Sequence, residues 1–173
     1  ATAELWAGTT VATGPNFSVP TLPFTASSTK MTVRVYSPDA GIKVRLKVED
    51  AADPTKSVET EATTTVANAW ETLTFDFANQ AAGTAALNLG FTYNKVSIFF
   101  NFGVTGATAG AKTYYFDDVA FVPASGGGGA WSPITFDSSA VIYTLTGFGG
   151  ADDSTVVVDP IGGINKVARV VKS

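Results

Sequence analysis

Fifteen carboxylates, eleven basic side chains and no histidine or cysteine bound the chemistry open to this chain. Without imidazole the commonest general base, the commonest zinc ligand and the usual triad partner are missing, and without thiol there is no thiolate metal site. What remains is acid chemistry. A glycosidase-type pair needs two carboxyl groups facing each other across a cleft, one of them held protonated. The most suggestive acids, Glu59 and Glu61, are two apart in SVETEATTT and so share one face of a strand. If Val48 faces Val58 across a hairpin, Lys47 stands opposite Glu59 and Arg45 opposite Glu61. Basic neighbours lower a carboxyl pKa rather than raise it. Asp152 and Asp153 fall in a glycine-rich turn, where solvation is the plain explanation. No catalytic residue is assigned, and the protein is expected not to be an enzyme.

The elements that must carry these side chains follow period two almost throughout. MTVRVY sets Met31, Val33 and Val35 on one face and Thr32, Arg34 and Tyr36 on the other. IKVRLKVE alternates Ile42, Val44, Leu46 and Val48 against Lys43, Arg45, Lys47 and Glu49, and the DAADPTK loop returns the chain into SVETEATTT as a hairpin. ETLTFDF places Leu73, Phe75 and Phe77 inside, KVSIFFNF places Val96, Ile98, Phe100 and Phe102 inside, and TYYFDDVAFV forms another strand. ITFD, VIYTL, STVVVD and NKVARVV read as strands beyond the glycines. Roughly nine to eleven short strands, each with one apolar face, predict an all-β, two-sheet antiparallel β-sandwich of the jelly-roll kind.

The run Gly126 to Gly129 within PASGGGGAWSP has the composition of a flexible linker. The residues after it read like the start of a domain and those before it like the end. The chain therefore reads as one domain over residues 1–173, circularly permuted: 1–123 the C-terminal part of a parent, 124–130 a linker, and 131–173 the N-terminal part. On this reading KVARVVKS would run on into ATAELWAGTTV as a hairpin, and the rearrangement would be an engineered one. A tandem array cut in phase between equivalent points of two modules leaves the same residue order and stays open beside it.

A formal net charge of −4 with no basic run argues against nucleic acid and anionic membrane as partners. No apolar stretch reaches the length of a membrane-spanning helix and no signal peptide is recognisable. A monomeric, soluble module from a secreted parent is the expectation.

In parental order, ITFD, the Trp-containing NAWETLTFDF and TYYFDDVAFV resemble jelly-roll carbohydrate-binding modules of the family four and nine type. VRVYSPDAGIKVRLKVED, VETEATTT and NKVSIFFNFG resemble modules appended to secreted bacterial polysaccharide-degrading enzymes, so the parent is expected to be multimodular. The resemblance implies a structural Ca²⁺ held between an acid on the first strand and an Asp on the last. The matching positions are Asp137 in ITFD and Asp117 in FDDV, with Asp118 in reserve and Asp152 or Asp159 as possible contributors. Hard oxygen donors suit calcium and need neither His nor Cys. Asp117 shares strand parity with Val119 and Phe121 and would point inward, where it needs a counter-charge. The plain alternative is that the Asp pair ends a strand or accepts backbone hydrogen bonds.

Polysaccharide binding asks for exposed aromatic rings that stack on sugar faces, flanked by polar groups that reach hydroxyls. In AELWAGTT, Trp6 faces out if Ala3, Leu5 and Ala7 face the core. In SIFFNF, Phe99 and Asn101 occupy the face opposite Ile98, Phe100 and Phe102. Arg34, Tyr36, Arg45, Lys47, Glu59 and Glu61 lie on outward faces of strands taken as adjacent, and would line the same concave platform, or serve only as a charge ladder that keeps a face soluble. Trp70 is assigned to core packing, Trp131 to a scar or terminal cap, and Tyr114 to either group. The expected function is a non-catalytic module binding a polysaccharide such as a β-glucan. The alternative is a structural or adhesive sandwich, or an engineered scaffold, without a glycan ligand.

Overall fold

A computed structural model describes residues 1–124 and 131–173. The core of the predicted linker, residues 125–130, lies outside the described residues, while Ala124 is pinned by its N–H donating to Ser28 Oγ at 2.7 Å.

Ten strands and one helical turn form among the described residues: β1 (Gly8–Ala12), β2 (Lys30–Ser37), β3 (Lys43–Asp50), β4 (Asp53–Thr63), β5 (Ala69–Asp76), β6 (Lys95–Phe100), α1 (Gly106–Ala109), β7 (Lys112–Val122), β8 (Thr144–Phe148), β9 (Asp153–Val158) and β10 (Lys166–Lys172). They build two five-stranded sheets, β4-β3-β6-β1-β8 and β5-β2-β7-β10-β9, antiparallel at every pairing. The fold is an all-β two-sheet sandwich. Between the sheets, the predicted inward residues of β2, β3, β5 and β6 are buried, including Val33, Leu46, Phe75 and Ile98. Each large apolar side chain so buried contributes about 1.5–3 kcal/mol. Phe100 of the first sheet stacks on Tyr114 of the second with centroids 4.7 Å apart, which puts Tyr114 in the core. Trp131 is buried as well, its indole N–H donating to the Pro20 carbonyl at 2.8 Å, so it caps the core.

Residues beyond the glycines contribute to both sheets. β8 pairs with β1, with Thr9 opposite Gly147, and β10 pairs with β7, with Arg169 opposite Tyr115. The two ends of the chain do not form the expected hairpin, because β1 and β10 belong to opposite sheets. They meet instead at the glycine turn that closes β8, where Ser173 donates its N–H to the Gly150 carbonyl at 2.9 Å and Glu4 donates to the Gly149 carbonyl at 2.7 Å. Lys172 is buried and reaches across to the first sheet, its ammonium donating to the carbonyls of Phe100 and Asn101 at 3.2 and 3.0 Å. Burial pushes that amine below the usual lysine range.

Four local expectations fail for identifiable backbone reasons. The first strand begins at Gly8, not at the terminus; residues before it turn, leaving Leu5 exposed beside Trp6 rather than buried with Ala3 and Ala7. ITFD is not a strand: Ile134 makes a single bridge to Val119, and Phe136 takes φ 60°. β6 stops at Phe100 because Asn101 (φ 48°) and Gly103 (φ 88°) are left-handed, and this turn sends Phe102 to the outer side. Finally, β7 carries a bulge. Arg34 pairs with Asp117 and Thr32 with Ala120, so two residues of β7, Asp118 and Val119, stand against one of β2, Val33, with Asp118 at φ 48°. The extra residue reverses parity, and Asp117 lies on the outer side with Tyr115 instead of inward with Val119.

Candidate functional site

The outer face of the first sheet carries a cleft of about 510 Å³. Its floor follows from strand register. Glu59, Lys47, Ser97, Thr10 and Thr146 form one row across all five strands, and Glu61, Arg45, Phe99, Gly8 and Phe148 the next. Directly opposite residues in antiparallel strands share a face, so each row is a continuous strip. In the first, Thr10 and Ser97 link hydroxyl to hydroxyl at 2.8 Å.

The second strip closes over a glycine. A Cβ on Gly8 would stand 2.5 Å from the Phe99 ring and 2.9 Å from Phe148, so only glycine lets these rings meet, edge to face with centroids 5.6 Å apart. Trp6 leans from the preceding turn onto Phe148, stacked at 6.1 Å, in space that a side chain on left-handed Gly149 would take. Phe102 packs edge-on against Phe99 and lies 3.6 Å beneath the Arg45 guanidinium. At the other end Phe17 stands at the rim.

The charges of this face are paired with one another, four cations sharing three carboxylates. Arg45 donates to Glu59 Oε2 at 2.8 Å and, through Nε, to Glu61 Oε1 at 2.8 Å, and Lys43 reaches Glu61 at 3.1 Å. Lys47 does not pair with Glu59 opposite it. It turns along its own strand to Glu49 at 2.6 Å, which also receives Lys95 at 2.7 Å. Burial opposes ionisation of Glu49 and Glu61. The hydrogen bonds and charges of Lys47 and Lys95 on one, and of Arg45 and Lys43 on the other, outweigh it and hold both carboxyls below the usual range. Neither acid is suited to donate a proton.

Of the sequence-predicted ligand residues, Trp6, Arg45, Lys47, Glu59 and Phe99 line the cleft, and Glu61 sits beside it holding Arg45. Phe99 is buried in the cleft floor rather than exposed. Asn101 does not stand beside it, since its left-handed backbone ends the strand. Arg34 and Tyr36 are not on this platform at all, because β2 lies in the second sheet. There they join Trp70, which is on the outer face and not in the core: Tyr36 packs edge-on against Trp70 and Tyr115, and Arg34 lies 4.2 Å over the Trp70 ring. Sequence reasoning missed Phe17, Phe102 and Phe148, together with Thr10, Ser97, Thr146, Glu49 and Lys95. For Thr10, Ser97 and Thr146 the small polar residue at an outward position was a signal; for Phe102 alternation pointed the wrong way.

Of the predicted metal residues, Asp117 and Asp118 lie at the bulge of β7, the central strand of the second sheet. Asp117 is only 2% exposed, with Arg34 Nη1 3.8 Å from Oδ2, Asn165 donating to Oδ2 at 3.1 Å, and no hydrogen-bond partner for Oδ1 among the described residues. Burial pushes its carboxyl up to about 7, with the charges of Asp118 and Asp137 adding to the rise against hydrogen bonds from the Asp118 N–H and Asn165. Asp137 accepts the Lys166 N–H at 2.6 Å, and Asp118 faces solvent. Asp159 closes the β9–β10 turn by accepting the Ile161 N–H at 2.8 Å. Among the described residues, no group of three or more acidic side chains is placed to hold a metal ion.

No protein-family model, curated protein or solved structure gives a significant match to this chain.

Proposed function

We propose that this sandwich is a non-catalytic module that binds a polysaccharide of the β-glucan type in the cleft on the outer face of its first sheet. The observation that carries the reading is the composition of one strip-built cleft: rings at Trp6, Phe99, Phe102 and Phe148 beside hydroxyls at Thr10, Ser97 and Thr146, over cations each held in an ion pair. Aromatic faces suit the C–H faces of pyranose rings, and the hydroxyl strip suits their edges. Acids locked to Arg and Lys argue for binding without bond cleavage. The resemblance to carbohydrate-binding modules points the same way.

Affinity electrophoresis against laminarin, xylan, lichenan and alginate tests it. Retardation by at least one neutral glycan, abolished by Trp6→Ala while the melting temperature stays within a degree or two, is the expected result. Indifference to all four sinks the reading.

The calcium expectation belongs to the same proposal. The buried Oδ1 of Asp117, next to the charge of Asp137, has the donor chemistry for a hard cation, and Asp117 and Asp137 with backbone carbonyls would hold it. When bound, the ion would add positive charge to that of Arg34 beside the two carboxylates and tie β7 to the segment around residue 137. Asp118 is directed to solvent and drops out of the set. A melting temperature unmoved by chelator and by added Ca²⁺ would remove the site.

A further inference from the structure

The two half-exposed rings of the cleft stand at opposite ends of one stretch of strand. Trp6 stacks on Phe148, which is the register partner of Gly8 at the start of β1. Phe17 lies near the Lys95 ammonium, 5.9 Å from ring centroid to nitrogen, and Lys95 falls beside Ala12 at the end of β1, one step past the Val11–Val96 pair. Four residues of strand separate these levels, or about 13 Å at the usual rise. Between them lie the Thr10–Ser97 hydroxyl pair and Lys47.

Phe17 is held there against local preference. Asn16 and Phe17 are consecutive left-handed residues, at φ 54° and 58°, a conformation that Asn tolerates and a bulky aromatic residue rarely adopts. The turn is fastened around them: Thr13 and Gly14 donate their N–H groups to the Ser18 carbonyl at 2.9 and 3.0 Å, and Ser18 donates to the Pro15 carbonyl at 3.1 Å. Yet the ring so placed is 50% exposed and stands outside the hydrophobic core. Core packing therefore does not account for the steric cost, and strain maintained by a fastened turn is a feature of ligand clamps.

We propose that Phe17 is the far wall of a two-ring clamp, so that a polysaccharide lies along β1 and β6, parallel to the strands, with Trp6 under one end and Phe17 at the other. This rests on the polysaccharide reading of the cleft and adds to it a direction and a minimum length. A ligand too short to reach both rings gains only one of them.

Calorimetric titration with graded oligosaccharides of laminarin, xylan, lichenan and alginate, disaccharide upward, tests the clamp. The comparison is between the wild type and Phe17→Asn, which keeps a side chain at ease with the left-handed backbone. Wild-type affinity is expected to climb with chain length and then level off. The variant's affinity should climb less with chain length, leaving the long ligands bound about tenfold more weakly than by the wild type, and it should melt at an unchanged or higher temperature. Equal binding of long oligosaccharides by both proteins overturns the clamp while leaving the cleft reading intact, and so does a melting temperature lowered as far as by a core truncation, because the ring then serves the fold. A wild type that binds no member of the series overturns the cleft reading and the clamp with it.

Discussion

The outer faces of the two sheets use the same parts to different ends. Each places an arginine over an aromatic ring, Arg45 over Phe102 on the first and Arg34 over Trp70 on the second, and each ties that arginine to a carboxylate from a neighbouring strand. On the first face Arg45 sits between two glutamates at hydrogen-bonding distance, and the flanking turns raise Trp6 and Phe17 as walls around a cleft. On the second, Arg34 covers the ring it stacks on, and Asp117 keeps a buried oxygen with no partner among the described residues. Aromatic and charged content does not decide where this cleft forms. The turns at the strand ends do.

The sharpest way to break this contrast is at Gly8. Valine there would drive a side chain into Phe99 and Phe148, and overpacking of this kind costs about 1–3 kcal/mol or more. Gly8→Val should lower the urea midpoint substantially and abolish glycan retardation together. A chain that keeps both would show that the ring strip is not built on that glycine.

Arg45→Ala comes next. It strands Glu59 and Glu61 and uncovers Phe102, and for a largely buried but partly hydrated group the expected cost is about 2 kcal/mol, with loss of binding. Arg34→Ala on the other face should cost less, about 1 kcal/mol, and leave glycan binding unchanged, because the 3.8 Å pair it breaks is looser and its partner can take up a proton. Equal losses of binding in the two variants would erase the distinction between the faces.

Asp117 gives the second face its own pH signature. Its folded pKa of about 7 lies above the ordinary 3.8, so the stability linked to its proton is fully present below about pH 4 and is lost as pH rises through 7. In chelator, Asp117→Asn should therefore out-melt the wild type at pH 8, by the equivalent of about 1–3 kcal/mol, and the gap should shrink toward pH 4. Added Ca²⁺ at pH 8 should raise the wild type and not the variant if the proposed ion site forms. The smallest expected effect is that of salt. With the cleft cations Arg45, Lys47 and Lys95 already paired, glycan affinity should change less than twofold between low and moderate ionic strength.

Much of the first sheet was legible in the residues. The Val48–Val58 pairing, with Lys47 opposite Glu59 and Arg45 opposite Glu61, is the register observed, because a one-residue slip would have turned Ile42, Val44 and Leu46 to water. The ion pairs within that register were only half legible. Side chains choose among neighbours at similar distances, and Lys47 found Glu49 while Arg45 took both glutamates. Phe102 and Asp117 were misplaced for one shared reason: a single left-handed residue, Asn101 or Asp118, reverses the alternation on which parity depends. Asn and Asp tolerate that conformation without requiring it, so the sequence marks where a reversal is possible and not where it occurs.

The amino-acid sequence by itself determined the period-two pattern, hence an all-β sandwich with these inward rows, and through its lack of imidazole and thiol it narrowed the chemistry to carboxylates, amines, amides, hydroxyls and rings. Tertiary structure alone decided which sheet each strand joined. Assignment of β2 and β3 to opposite sheets separated Arg34 and Tyr36 from Arg45 and Lys47, and the pairing of β8 with β1 brought Phe148 beside Phe99 over Gly8. Alternation records which side of a strand is buried, but every strand of a sandwich buries one side equally well. The choice of neighbour rests on contacts between residues far apart in the chain, which no local pattern encodes.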